Sequence, residues 1–372
     1  MGGSCPLKRS RNIVIKGVRV SLRDELEHQS DRAQLELVKV RRQRDSLQGE
    51  VLQLTEKVAD LERTLGFVDQ VQDSFLEPPS WLGPKQSNKK KHATLTLLLS
   101  DTHFDEVVLP EEVGGLNKYD RQIAEFRLKL WAENAIKMAR HYLSGVTYDG
   151  VVVMLGGDIF SGDIHEELAQ TNEDTMLGSL LHWSEQICAA LLMFADEFGK
   201  VHVPCVVGNH GRMSRKPRMK LRARTNFDWL LGKMIERHLG HDKRFTFQIS
   251  ENADTMVQIY QHGHLLTHGD QVSGGGGIGG IWPPIMRMRA RKAQRAMDIG
   301  QPFETLWMGH WHQYISTPYM IVNGSTKGLD EYAWLNNFGF EVPQQALAIV
   351  TPEHNISIQA PIFCANRIKE KW

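Results

Sequence analysis

The chain has 372 residues, 41% hydrophobic and 24% charged, with 44 basic and 44 acidic side chains. That composition suits a globular protein of one large domain plus an appendage. A net charge of zero excludes a global electrostatic pull toward polyanions, so any nucleic-acid footprint has to be local.

The opening residues, MGGSCPLKRSRN, are basic but lead into no apolar segment, and no apolar run of about 18 residues occurs anywhere. No signal peptide or membrane span is expected. Cys5, Cys188, Cys205 and Cys364 lie far apart without a Cys-x-x-Cys, which argues against a zinc knot or disulfide framework and suits a reducing cytoplasm.

Residues 1–21 read as a basic tail and residues 22–71 as a coiled-coil helix. From Leu26 onward, apolar residues recur at alternating steps of four and three: Leu26, Ala33, Leu37, Val40, Leu47, Val51, Leu54, Val58, Leu61, Leu65 and Val68. Only Ser30 and Arg44 break the series, and no proline interrupts it. Six heptads of this kind predict a coiled coil. Valines at a (Val51, Val58) with leucines at d (Leu47, Leu54, Leu61) favour two parallel strands, as does Arg44 at an a position. The pairing would bring Glu36 to Arg41 and Lys57 to Glu62 across a homodimer. The other reading of the same pattern is one amphipathic helix packed on its own globular domain.

Residues 72–92, ending in EPPSWLGPKQSNKKKH, read as a linker because they are proline-rich and then basic. Beyond them, residues 93–372 alternate strand and helix. Strands are predicted at Thr94–Ser100, Gly150–Leu155, Val201–Val207, Arg244–Ile249, Thr255–Tyr260, His264–Thr267, Thr305–Met308 and Ala346–Val350. Helices fit Asp120–Leu143, with Asp120 as N-cap, Asn172–Phe198 and Asn226–Leu239. Strands dominate the second half, which favours a mixed α/β sandwich over a doubly wound parallel sheet.

Several of these apolar strands run directly into ligand-type residues. LTLLLS leads to Asp101-Thr-His103, VVVMLG to Gly157-Asp158, and VPCVV to Gly208-Asn209-His210. HLLT leads to His268-Gly-Asp270, and TLWM to Gly309-His310-Trp-His312. Each motif alone is a passable turn. Strand tips in one sheet converge, so side chains that are far apart in sequence can meet at its carboxyl edge.

The set D-x-H, G-D, G-N-H, H-G and G-H-x-H resembles the calcineurin-like metallophosphoesterase superfamily, which includes DNA-repair exonucleases and many phosphatases. The likeness runs from about Thr94 to the C-terminus. The wording GGDIFSGDIHEE, GNHGR, THGDQ and GHWHQY is similar to a branch found in tailed phages and prophages. The resemblance implies a calcineurin-like αββα sandwich of two mixed sheets flanked by helices, here preceded by the coiled coil. It also implies a cytoplasmic location in a phage-infected or prophage-bearing bacterial cell.

The resemblance further implies two divalent metal ions. Asp101, His103, Asp158 and His312 would hold the first. Asp158, as a bridge, would hold the second with Asn209, His268 and His310. Nitrogen and oxygen donors without thiolate suit Mn²⁺, Fe, Zn²⁺ or Mg²⁺, with Mn²⁺ the family's first choice. Two such ions about 3.5–4 Å apart share a hydroxide and clamp both oxygens of an in-line displacement, so hydrolysis of a phosphate ester is implied. His210 would assist the leaving group without binding metal.

The family usually has an acid after that histidine, where this chain has Gly211 and then Arg212. Arg212 and Asp163 are therefore the candidate catalytic partners, with Asp270 a second replacement for the missing acid. Basic residues then cluster at Arg212, Arg215, Lys216, Arg218, Lys220, Arg222 and Arg224, and again at Arg287, Arg289, Arg291, Lys292 and Arg295. They mark a local field for a nucleic-acid substrate, with Arg215, Lys216, Arg218, Lys220, Arg287 and Arg289 as the contacts. The expected activity is a metal-dependent nuclease on DNA or RNA. The alternatives are a phosphatase or phosphodiesterase for a small molecule, nucleotide or phosphoprotein, and a non-catalytic coiled-coil adaptor.

Overall fold

A computed structural model describes residues 12–15, 18–21, 34, 36–55, 57, 78–83, 91–272 and 280–371. The chain divides into two units, Met1–Phe75 and Leu76–Trp372.

In the first unit, β1 (Asn12–Ile15) and β2 (Val18–Ser21) form an antiparallel hairpin inside the stretch read as a basic tail. Residues 36–55 are helical, and the heptad positions Leu37, Val40, Leu47, Val51 and Leu54 are 54–60% exposed. The apolar seam of this helix faces outward along its described length. The heptads N-terminal to it and those from Val58 onward lie outside the described residues.

The second unit is a sandwich of two mixed sheets. The larger runs β13 (Asn355–Phe363), β12 (Gln344–Thr351), β3 (His92–Leu99), β4 (Thr147–Leu155), β5 (Val201–Cys205) and β6 (Phe245–Ile249). Its strands from β3 to β6 pair in parallel, whereas β12 pairs antiparallel with both β3 and β13. The smaller runs β10 (Ile315–Thr317), β11 (Met320–Val322), β9 (Thr305–Met308), β8 (His262–Thr267) and β7 (Asp254–Ile259).

Side-chain alternation along each strand sorts the core into three layers. Leu95, Leu97 and Leu99 point outward to helices α1 (Arg121–Lys137), α2 (Met176–Phe198) and α3 (Phe227–Leu239), where they meet Trp131, Trp183 and Leu231. Leu98, Val152 and Met154 point inward, against Val257, Leu266 and Trp307 of the other sheet. On that sheet's far face, Leu265, Leu306 and Met308 pack on Ile285 and Met288 of α4 (Trp282–Asp298). Strands buried on both faces read as continuous apolar runs, which is why these were legible.

Several boundaries differ from the expectation. The α1 helix ends at Lys137 and widens into a π-helical turn over Met138–Tyr142, and α2 starts after Thr175, whose hydroxyl caps it at Gly178. Asp120 does cap α1, accepting from the Ile123 N–H at 2.9 Å. The α4 helix was not anticipated: its basic residues masked an apolar stripe, and Pro283 and Pro284 begin it. Within the stretch read as linker, Ser80–Leu82 forms a 3₁₀ turn that buries Trp81 and Leu82 in the inter-sheet core. Gly150 makes room for that indole, since a Cβ there would lie 2.6 Å from the ring. Among the described residues, no helix is long and apolar enough to cross a membrane.

Candidate metal centre

The loops that leave β3, β4, β5, β8 and β9 meet at one edge of the sandwich, stitched to one another by main-chain bonds. The N–H of Asp101 donates to Gly157 at 3.1 Å, and that of His103 to Asp158 at 3.2 Å. The Gly309 N–H donates to His268 at 2.9 Å. Carboxylates complete the stitching: Asp158 Oδ1 accepts from the His210 N–H, and Asp101 Oδ1 from the His310 N–H, each at 2.7 Å. Glycine is required where loops touch. A Cβ on Gly208 would collide with the Asp158 carboxylate, and one on Gly309 with that of Asp101.

Three overlapping groups of ligand atoms result, each with all its atoms within 4.8 Å of one another: Asp101, His103 and His312; His103, Asp158 and His210; and Asp158, His268 and His310. Asp158 belongs to two of the groups. Asn209 joins the third, its Oδ1 lying 3.2 Å from His268 Nε2. All seven residues expected as metal ligands therefore lie together, and His210 lies with them.

These donors fit cations. His103 Nε2 stands 3.1 Å from His312 Nε2, and His268 Nε2 stands 2.9 Å from Asp158 Oδ2. Ligand atoms about 2.0–2.2 Å from one ion lie about 3 Å apart when they meet at right angles, so these spacings match shared coordination. The set contains nitrogen and oxygen only, which suits Mn²⁺, Fe, Zn²⁺ or Mg²⁺ and does not choose among them.

Backbone strain marks the same residues. Asp101, His103, Asp158, His310 and His312 all have positive φ, between 45° and 73°. Left-handed backbone at non-glycine residues is uncommon and concentrates where a site holds it in place.

Electrostatics follow from packing charges in a dry pocket. Burial pushes the Asp101 carboxyl up to about 7, with His268 opposing and Asp158 adding to the rise. Burial would raise Asp158 too, but the imidazoles of His268 and His210 hold it well below the usual carboxylate range. His268 moves the other way: burial lowers it, but Asp158 outweighs burial and takes it to about 10. Burial lowers His310 to about 4 and keeps His103 and His312 well below the ordinary histidine value. Those three rings are neutral at pH 7, the form that binds metals.

Supporting groups orient the ligands. His268 Nδ1 lies 2.9 Å from the Gly156 carbonyl, which aims Nε2 at Asp158 and Asn209. Glu106, three residues beyond His103, brings a carboxylate oxygen to 3.4 Å from His103 Nδ1, which has no other polar partner. Behind it, the buried Lys327 ammonium lies 2.9 Å from Glu106 and pairs also with Asp330. Sequence reasoning missed Glu106, Lys327, Asp330 and Asp228. Only Glu106 carried a local signal, being in the same short stretch as Asp101 and His103.

The expected partners of His210 need correction. Asp163 lies exposed on its loop, and Asp270 is paired to Arg222 at 2.8 Å. His210 Nδ1 instead lies 2.7 Å from the Ser161 carbonyl, so a peptide oxygen orients the ring that a carboxylate was expected to orient. Arg212 is not free for catalysis either: its guanidinium donates to the carbonyls of Asn209, Ser214 and Arg215 at 2.8–2.9 Å, clamping its own loop. Asp163→Asn is accordingly expected to leave turnover within about twofold of wild type and its pH profile unmoved, as steady-state rates from pH 5 to 9 would show.

The basic clusters separate into exposed and occupied residues. Arg215, Lys216, Arg218 and Lys220 are exposed on the loop after His210, and Arg287 and Arg291 are exposed on α4. Arg289 lies over the Tyr319 ring and donates to the Tyr319 carbonyl at 3.3 Å, so it is held against the fold. Arg222 and Arg224 pair with Asp270 and Glu251, and Lys292 and Arg295 both pair with Asp254.

No family model and no curated protein matches the chain. Among solved structures it is similar to a predicted phosphoesterase of Streptococcus pneumoniae, at 10% identity over 72% of this chain and 97% of the other, with a TM-score of 0.27. It is similar to vacuolar protein sorting 29 of Cryptosporidium parvum at 14% identity, over 72% and 97% of the two chains, with a TM-score of 0.28. It is also similar to the sulfate thiohydrolase SoxB of Thermus thermophilus at 10% identity, over 75% of this chain and 58% of that one, with a TM-score of 0.27.

Proposed function

We propose that the chain is a calcineurin-like phosphoesterase using two divalent ions, and that it hydrolyses phosphodiester bonds of nucleic acid. One observation carries the reading: Asp158 is common to two compact ligand groups, so one carboxylate can serve two adjacent ions. When bound, such ions polarise the phosphoryl oxygens and activate water as the nucleophile, with Mn²⁺ the first candidate.

The chain's own residues supply the rest. Asp158, held deprotonated, and the neutral rings of His103, His310 and His312 offer lone pairs toward the centre. The Ser161 carbonyl holds His210 through Nδ1, on a ring that groups with Asp158 and His103, and that bond does not engage Nε2. A proton on that nitrogen is placed to reach a leaving oxygen.

Nucleic acid is favoured over a small molecule by the exposed run Arg215, Lys216, Arg218 and Lys220, which begins five residues after His210. A polyanion laid across the centre would meet it. The open apolar seam of residues 36–55 supports a parallel homodimer, which would present two such centres to one substrate.

The test is to incubate the Mn²⁺-loaded protein with labelled single-stranded DNA, double-stranded DNA, RNA and a panel of mononucleotides. Cleavage of a polymer is expected, weakening as salt rises from about 50 to 200 mM. Hydrolysis confined to mononucleotides or a generic phosphate monoester would replace the nuclease reading with that of a phosphatase. No hydrolysis of any phosphate ester would leave the adaptor reading.

A further inference from the structure

Asp228 lies outside every motif described above, yet its carboxylate is buried at the junction of two ligand loops. It arrives there from the first turn of α3, whose N-cap is Asn226. Its Oδ2 accepts from the main-chain N–H groups of Asp158 at 3.1 Å and Gly208 at 2.9 Å, and its Oδ1 from that of Ile159 at 3.2 Å. Asn226 adds the matching bond, donating from Nδ2 to the Gly208 carbonyl at 2.9 Å. The peptides leading into Asp158 and Asn209 are thus gripped from one point on α3.

Both side chains also fill the space beside Gly211. A Cβ there would lie 2.5 Å from Asn226 Oδ1 and 3.1 Å from the Asp228 carboxyl carbon, so no side chain fits at that position without displacing them. A carboxylate can accept all three N–H groups, whereas an amide offers one oxygen and turns its other edge into a donor. The N-terminus of α3 favours the negative charge.

We infer that Asp228 is a positioning residue that holds the Asp158 and Asn209 loops at the spacing their side chains need to reach one ion. The inference rests on the two-metal reading. Asp228 touches no reacting atom; it acts through main-chain groups of the loops.

The experiment is Mn²⁺ titration of the full-length protein by calorimetry, alongside thermal unfolding without metal. Asp228→Asn is expected to weaken Mn²⁺ binding by about 10- to 100-fold, the usual cost of losing a group that orients a metal ligand. Asn226→Ser keeps a capping hydroxyl but loses the bond to Gly208, and is expected to weaken binding by a smaller factor, which keeps the inference testable should Asp228→Asn fail to fold. Asp120→Ala removes the cap of α1, away from these loops, and is expected to lower the unfolding temperature with Mn²⁺ affinity unchanged. Wild-type affinity in both the Asp228 and Asn226 variants would overturn the inference while leaving the two-metal reading intact. So would an equal loss of affinity in Asp120→Ala. A wild-type protein that binds no Mn²⁺ would overturn the two-metal reading itself.

Discussion

Replacing Asp158 with alanine is expected to reduce phosphoester turnover by on the order of a thousandfold, equivalent to about 4 kcal/mol of lost transition-state stabilisation. Among the described residues, Asp158 alone shares one ligand group with His103 and another with His268 and His310, so its loss should impair both ion positions together. Calorimetric titration with Mn²⁺ should show weaker binding and fewer ions per chain than wild type. His312→Ala, which belongs only to the Asp101 and His103 group, should affect one position and leave the other measurable. Equal stoichiometry and turnover in Asp158→Ala and wild type would sink the shared-carboxylate arrangement.

Metal binding should also release protons. His268 is raised to about 10 by Asp158 against the effect of burial, and Asp101 to about 7 by burial, so both carry a proton at pH 6 that coordination must displace. Affinity for Mn²⁺ is therefore expected to fall as pH drops through about 10, where His268 gains its proton, and more steeply below about 7, where Asp101 gains one. Titrations in buffers of different ionisation enthalpy would count the protons.

The second large effect concerns stability. Lys327→Met is expected to destabilise the fold by about 3–5 kcal/mol, because it leaves Glu106 and Asp330 as buried carboxylates without their cation. Combining it with Glu106→Gln should recover part of that loss, since one of the two charges goes with it. Burial would raise Asp330, but Lys327 holds it below its ordinary value. A depressed carboxylate stabilises the fold above its unfolded value near 4, and that contribution is lost as pH falls through the folded value. Urea denaturation at pH 7 and pH 3 measures both effects. A Lys327→Met midpoint equal to wild type at pH 7 would show that the ammonium is not needed there.

The seven residues expected as ligands could be picked out because each follows an apolar run directly or within a few residues. The runs had to be strands, parallel strands end at one edge, and polar residues at that edge have few other places to go. The β10, β11 and β13 strands were not legible. The first two span three residues each, too short to show a period, and β13 is mostly half-buried without a clear alternation. The α4 helix was hidden by its charge, since its arginines suggested a substrate surface more strongly than Ile285 and Met288 suggested a buried face.

What lies one layer behind the ligands could not be read at all. Lys327 comes from the loop after β11, and Asp228 from the start of α3. Asp330 lies three residues from Lys327, but Glu106 and the loops that Asp228 grips are distant in sequence, and a buried ion pair or a carboxylate on main-chain N–H groups leaves no periodic trace. The basic clusters divide in the same way. Their number was visible in the chain, whereas their availability depended on whether Asp254, Glu251 and Asp270 lay within reach.

By itself, then, the sequence determined the order of the strand-end motifs along the chain, the donor types and the apolar seam of the N-terminal helix, all of which are written in local pattern. Tertiary structure alone decided which groups hold the donors in place. It gave His210 the Ser161 carbonyl in place of Asp163, turned Arg212 back onto its own loop, and brought Asp228 to the space beside Gly211. Those choices depend on distances between elements that no local pattern encodes.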